Sequence, residues 1–149
     1  MNLTPHFPLH ELTFSINAKR LGIDNLPTVE HLENLKKLAL VLEDVRELLG
    51  NHPITITSGY RCKELNDKTP GSSTTSYHIM GLAADFICPG YGKPLDVAKK
   101  IASSNIKYDQ LINEGGDWVH LGLRPGTLRM QQLSAKFPGP VWYPGLVEV

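Results

Sequence analysis

Only two cysteines, Cys62 and Cys88, occur in 149 residues, too few for a disulfide framework. Two thiols in a reducing compartment are the plain expectation, with a single bridge between them left open. Net charge is missing as well. Fifteen basic residues cancel fifteen acidic ones, so nothing electrostatic draws the chain to nucleic acid or to an anionic membrane surface. No apolar run is long enough to span a bilayer, so no membrane insertion is expected. The start, Met1 to His6, lacks the basic residues and apolar stretch of a secretion signal. No internal repeat is visible. A single domain over 1–149, with a core that needs no covalent staples, is the expectation.

What is present is ordinary for a globular chain, at 41% hydrophobic and 20% charged residues. Residues 1–27, with prolines at 5, 8 and 27, read as an irregular N-terminal arm across the body. Short helical turns fit Glu11 to Thr13 and Ser15 to Arg20. Thr28 to Leu49 reads as a helix capped by Thr28, with Glu30 at its positive end and Gly50, Asn51 and Pro53 to stop it. Val29, Leu32, Leu35, Ala39, Leu42, Val45 and Leu49 form its apolar stripe. Ile54 to Thr57 alternates in a β-branched run and reads as a strand, with a short helix from Lys63 to Asp67 after it. Lys68 to Thr75 is a loop of Gly, Ser, Thr and Pro, expected to be mobile and near the site. A second strand runs from Leu82 to Phe86, and an amphipathic helix from Leu95 to Ser103. Tyr108–Asn113 and Trp118–Leu123 read as a hairpin around Glu114-Gly115-Gly116-Asp117. Residues 125–149 read as a Pro/Gly-rich tail that covers apolar surface, with a carbohydrate- or wall-contacting Trp142 as an alternative. The fold class expected is α+β, a small antiparallel sheet flanked by helices.

The chemistry concentrates in Ser76 to Asp85. His78 and Asp85 are seven positions apart, and an odd offset on one unbroken strand sends side chains to opposite faces. A bend at Gly81 removes that conflict and lets both converge on one ion. Imidazole and carboxylate are ordinary zinc ligands, and a catalytic zinc takes three protein ligands and leaves one position for water. His120 is the best third ligand. Each residue alone has a commoner use: histidines are usually hydrogen-bonded or exposed, and Asp85 could cap a turn. Cys88, close to Asp85, could close a structural site as a fourth ligand.

Ser58-Gly59-Tyr60-Arg61 after a strand, His78-x-x-Gly81-x-Ala83-x-Asp85, and Trp118-Val119-His120 after a hairpin follow in that order. Together they resemble the zinc D-Ala-D-Ala carboxypeptidase family. That group includes D-Ala-D-Ala dipeptidases, phage L-alanyl-D-glutamate endolysins and, more remotely in fold, the Hedgehog signalling domain. Glu11-Leu12-Thr13 and Gly22-Ile23-Asp24-Asn25 look like phage and prophage members. The resemblance implies one Zn2+ ion held by His78, Asp85 and His120, with a zinc-bound water as nucleophile. It places the proton-transferring acid three residues before the last histidine, at Asp117, with Glu114 across the turn as the rival. It makes Arg61 the oxyanion or carboxylate partner and Ser76 a substrate hydrogen-bonding residue. A structural ion pair of Arg61 with Asp67 or Glu64, and a loop-capping Ser76, are the alternatives. Tyr60, Tyr77 and Trp118 either line the pocket or pack in the core.

The function this implies is a zinc metallopeptidase hydrolysing peptide stems of bacterial peptidoglycan. The bond is either D-Ala-D-Ala (carboxypeptidase) or an internal L-Ala-D-Glu type bond (endopeptidase). Synthesis in the cytoplasm and action on the cell wall after release, or as a virion component, is expected, as is a monomer. The rival is a non-catalytic, zinc-stabilised wall-binding or virion assembly module on the same fold.

Overall fold

The computed structural model describes residues 1–149. The chain opens with two short paired strands, β1 (Asn2–Thr4) and β2 (Phe7–Pro8), then helices α1 (Leu9–Thr13) and α2 (Ile16–Leu21). The long helix α3 (Val29–Leu48) follows, then β3 (Thr55–Ser58), α4 (Lys63–Asp67), a 3₁₀ turn at Tyr77–Met80 and β4 (Ala83–Ile87). Next come α5 (Pro94–Ala102), the hairpin β5 (Gln110–Glu114) and β6 (Trp118–Gly122), and finally β7 (Gln131–Lys136) and β8 (Val141–Pro144). Six strands form one sheet in the order β3-β4-β6-β5-β7-β8. No helix is long and apolar enough to cross a membrane.

Strand alternation separates core from site. Ala84 and Phe86 of β4, Leu111 of β5, and Val119 and Leu121 of β6 enter the core cluster, where α3 and α5 contribute Leu35, Leu38, Leu42, Val97 and Ile101. The intervening residues on each strand, Asp85, Ile112, Glu114, Trp118 and His120, line a cleft on the other side. One sheet therefore has a helix-covered apolar face and a face that carries chemistry.

Several elements match their sequence signals closely. The Thr28 hydroxyl accepts a hydrogen bond from the His31 amide and caps α3. Helix α4 has the bounds expected, and the α+β class with a helix-flanked sheet is as expected.

Other expectations are corrected. The arm 1–27 has the short helical turns expected, as α1 and α2, but it is more regular than expected: it also forms β1 and β2, and buries Phe7 and Leu12 in the main core. Val29 is 81% exposed and stands outside the α3 stripe, while Leu38 is buried in it. The tail 125–149 contributes β7 and β8, which extend the sheet. In it, β7 pairs with β5 in parallel, so the sheet is not wholly antiparallel. Cys62 and Cys88 are both free thiols, and the open question of a bridge is answered in the negative.

Candidate metal centre and cleft

Gly81 makes the bend that the His78–Asp85 spacing requires. It sits at φ +72°, and a Cβ there would stand 2.7 Å from the His31 carbonyl oxygen of α3. The 3₁₀ turn ends on it, and β4 starts two residues later. Ser76 opens the same turn, its hydroxyl accepting from the His78 amide at 3.2 Å. On β4, Asp85 pairs in register with His120 of β6. A turn, a strand and its neighbour thus deliver three side chains to one point.

His78, Asp85 and His120 form a group whose ligand atoms all lie within 4.8 Å of one another. Asp85 Oδ1 is 2.9 Å from His120 Nδ1 and 3.4 Å from His78 Nε2. His78 donates its other ring nitrogen, Nδ1, to the Gly59 carbonyl at 2.7 Å. That bond fixes the tautomer and leaves Nε2 with a lone pair facing the cluster, as a metal-ligating histidine requires. Gly59 can hold this place because the Leu12 backbone runs against it. A Cβ on Gly59 would fall 2.3 Å from the Leu12 oxygen.

The charges agree with a cation site. Burial pushes the His78 imidazole below its ordinary pKa and favours the neutral ring, and the Asp85 charge does not fully offset this. Burial would raise Asp85, but the two histidines outweigh it and hold the carboxyl well below its usual range. Burial would also lower His120, yet its contact with Asp85 and the nearby Glu114 charge hold it above its ordinary value. Two nitrogen donors and one oxygen donor, buried and mutually oriented, suit zinc. Cys88 is not in the group; its thiol donates weakly to the His52 carbonyl at 3.8 Å.

Glu114 and Asp117 part company here. Glu114 pairs with Trp118 across the hairpin, so the loop is Gly115-Gly116-Asp117, one residue shorter than the four-residue connection Glu114–Asp117 expected. Glu114 therefore shares a face with Trp118 and His120, with Oε1 3.7 Å from His120 Nδ1. Burial first, then the neighbouring Asp85 charge, pushes the Glu114 carboxyl above its ordinary pKa. Asp117 is exposed on the loop and does not line the cleft.

Arg61 lines the cleft, half-buried, and burial lowers its pKa against the opposing pull of Asp85 and Glu114. One terminal nitrogen donates to the Ser76 hydroxyl at 3.4 Å, and Nε has no partner. Asp67 and Glu64 are paired with Lys63 and Lys68, so neither forms the ion pair considered for Arg61. Ser76 is both a turn cap and the Arg61 acceptor. Tyr60, Tyr77 and Trp118 all line the cleft, although Tyr60 is buried and its hydroxyl lies 3.1 Å from His31 Nδ1.

The cleft has a volume of about 980 Å³, at the upper end of small-molecule sites. Its far wall comes from Phe137, Pro140 and Trp142, in the stretch expected to cover apolar surface, where Trp142 has wall contact as its alternative. Arg129 is a second cleft feature. Its guanidinium reaches the cleft while Nε and a terminal nitrogen donate to Asp109 at 3.0 and 2.7 Å. No local motif marks either feature, because both depend on pairing between distant strands.

A family model described as Peptidase M15 matches residues 5–122, most of the chain and every residue of the cluster. The chain belongs to that family, and membership implies a metallopeptidase. No curated protein matches the chain.

Proposed function

We propose that this member of the Peptidase M15 family hydrolyses peptide stems of bacterial peptidoglycan, with one zinc ion held by His78, Asp85 and His120. The observation that carries the reading is Glu114. A half-buried carboxylate 3.7 Å from a ligand histidine, beside an open cleft, is what hydrolysis needs and a purely structural zinc does not. Bound zinc supplies Lewis acidity, polarising a carbonyl and bringing the pKa of water towards ~7.

The chain's own groups divide the remaining work. Glu114 accepts the proton of the attacking water and returns it to the leaving amine. Arg61, with an unpartnered Nε, offers charged donors where negative charge develops on the carbonyl oxygen. Gly59 holds the His78 ring through its carbonyl and acts only by positioning.

The test is digestion of purified peptidoglycan stem peptides by zinc-loaded protein, with products identified by mass. Release of a terminal alanine makes the protein a carboxypeptidase, and cleavage at an internal bond makes it an endopeptidase. No product from any stem, with one zinc bound per chain, overturns the reading in favour of a zinc-stabilised binding or virion assembly module.

A further inference from the structure

We propose that the β7–β8 hairpin forms a carbohydrate subsite, in which Trp142 stacks on a pyranose ring still joined to the stem peptide. The proposal rests on the peptidoglycan reading above and goes further, to which form of the stem is the better substrate.

Register places the indole. Glu114 pairs with Ala135 on β7, and Ala135 with Trp142 on β8, so these three positions share the cleft face. Two strand spacings of about 4.8 Å put Trp142 roughly 10 Å from Glu114, the reach of about three extended residues. The ring is 52% exposed, lines the same cleft as the metal centre and stacks on no other aromatic side chain. It is not a loose tail. Phe137 stacks on Trp118 with centroids 6.5 Å apart, which ties the hairpin to the strand bearing His120.

The surroundings select the ligand. A flat indole presents a negative π-face, which suits the weakly positive C–H face of a pyranose. Sugar hydroxyls then point outwards and need polar partners. Gln110 and Arg129 line the same cleft, and neither the Asp109 hydrogen bonds nor the Asp109 ion pair uses Arg129 Nη1. An exposed aromatic surface rimmed by polar groups and continuous with a catalytic cleft is a binding surface by its chemistry. These hairpin residues lie beyond the 5–122 matched to the family.

The test compares two probes, a stem pentapeptide carrying its N-acetylmuramyl sugar and the same pentapeptide without it. With zinc-loaded full chain, kcat/KM is expected to be at least tenfold higher for the sugar-linked probe. Trp142→Ala should bring that ratio close to one, and Trp142→Tyr, which keeps a stacking ring, should restore most of it. Equal kcat/KM for the two probes, or a ratio unmoved by Trp142→Ala, overturns the subsite. Calorimetric titration of the Glu114→Gln chain with both probes separates this from failure of the peptidase reading. Tenfold tighter binding of the sugar-linked probe, lost on Trp142→Ala, supports the subsite even if neither probe is cleaved. Equal binding, or none, overturns it.

Discussion

Glu114 and Asp117 carry the same charge three residues apart, and a three-residue loop decides which can act on a substrate. Because Glu114 faces Trp118 in register, strand alternation puts it on the side of His120, while Asp117 belongs to the exposed loop. Glu114→Gln, close to isosteric, removes the proposed proton acceptor and keeps the shape. It should lower kcat by about 10²–10⁴-fold while one zinc stays bound, read by steady-state kinetics and metal analysis. Asp117→Ala should stay within about threefold of the parent by the same assays, since loop carboxylates far from packed features act weakly. The reverse ranking would transfer the role to Asp117. Gly59 gives a steric prediction at the same scale. A Cβ 2.3 Å from the Leu12 oxygen cannot fit without moving α1 or the turn that holds His78. Gly59→Ala should lower both the melting temperature and zinc affinity, whereas a variant that melts and binds zinc like the parent would show that the contact relaxes freely.

Between elements, the parallel pairing of β7 with β5 is fastened at its start by Asp109 and Arg129. Asp109 is fully buried and accepts from the Arg129 amide, Nε and Nη2, with Arg124 3.9 Å away. Burial would raise the Asp109 pKa, but the Arg129 hydrogen bonds and charge outweigh it and hold the carboxyl below its ordinary value. A depressed folded pKa stabilises the fold above the unfolded carboxyl value of ~3.9, and that contribution disappears as pH falls through the folded pKa. Asp109→Asn should therefore lower the melting temperature by several degrees at pH 7, and the gap to the parent should close below about pH 4. Calorimetric melts across that range check it; a gap that stays constant with pH would remove the charge from the explanation. This fastening also shows where the sequence stopped being readable. The β5–β6 hairpin, α3 and the bend at Gly81 rest on contacts within a short stretch of chain, and local spacing exposes them. The β5–β7 pairing joins residues 110–114 to 131–135 in parallel, and no turn signal announces such a partner. Phe137 and Arg129 carry no local signal as cleft residues for that reason, and Trp142 carries one only as the alternative of a wall contact. The Glu114–Asp117 choice is narrower still, because it turns on whether β5 ends at residue 113 or 114, which local spacing does not fix.

For the whole molecule, the proposed metal centre joins the 3₁₀ turn, β4 and β6, segments separated by up to 42 positions between His78 and His120. In the unfolded chain these ligands are dispersed, so a cation that needs all three binds the folded state almost alone. Without a cation the fold must bury a carboxylate between two imidazoles, with Asp85 and His78 almost wholly out of water. Binding to the native state alone stabilises it by about 2.7 kcal/mol when free ligand is a hundredfold above its Kd. For a chain of this size that amounts to a rise of roughly 5–10 °C in melting temperature. Zinc at that excess should produce the rise in calorimetry, and a chelator should reverse it. Asp85→Asn keeps the volume but removes the anionic ligand, so its melting temperature should barely respond to zinc. A parent that binds zinc stoichiometrically with no change in melting temperature would place the ion elsewhere than His78, Asp85 and His120, and so would a zinc response that survives in Asp85→Asn.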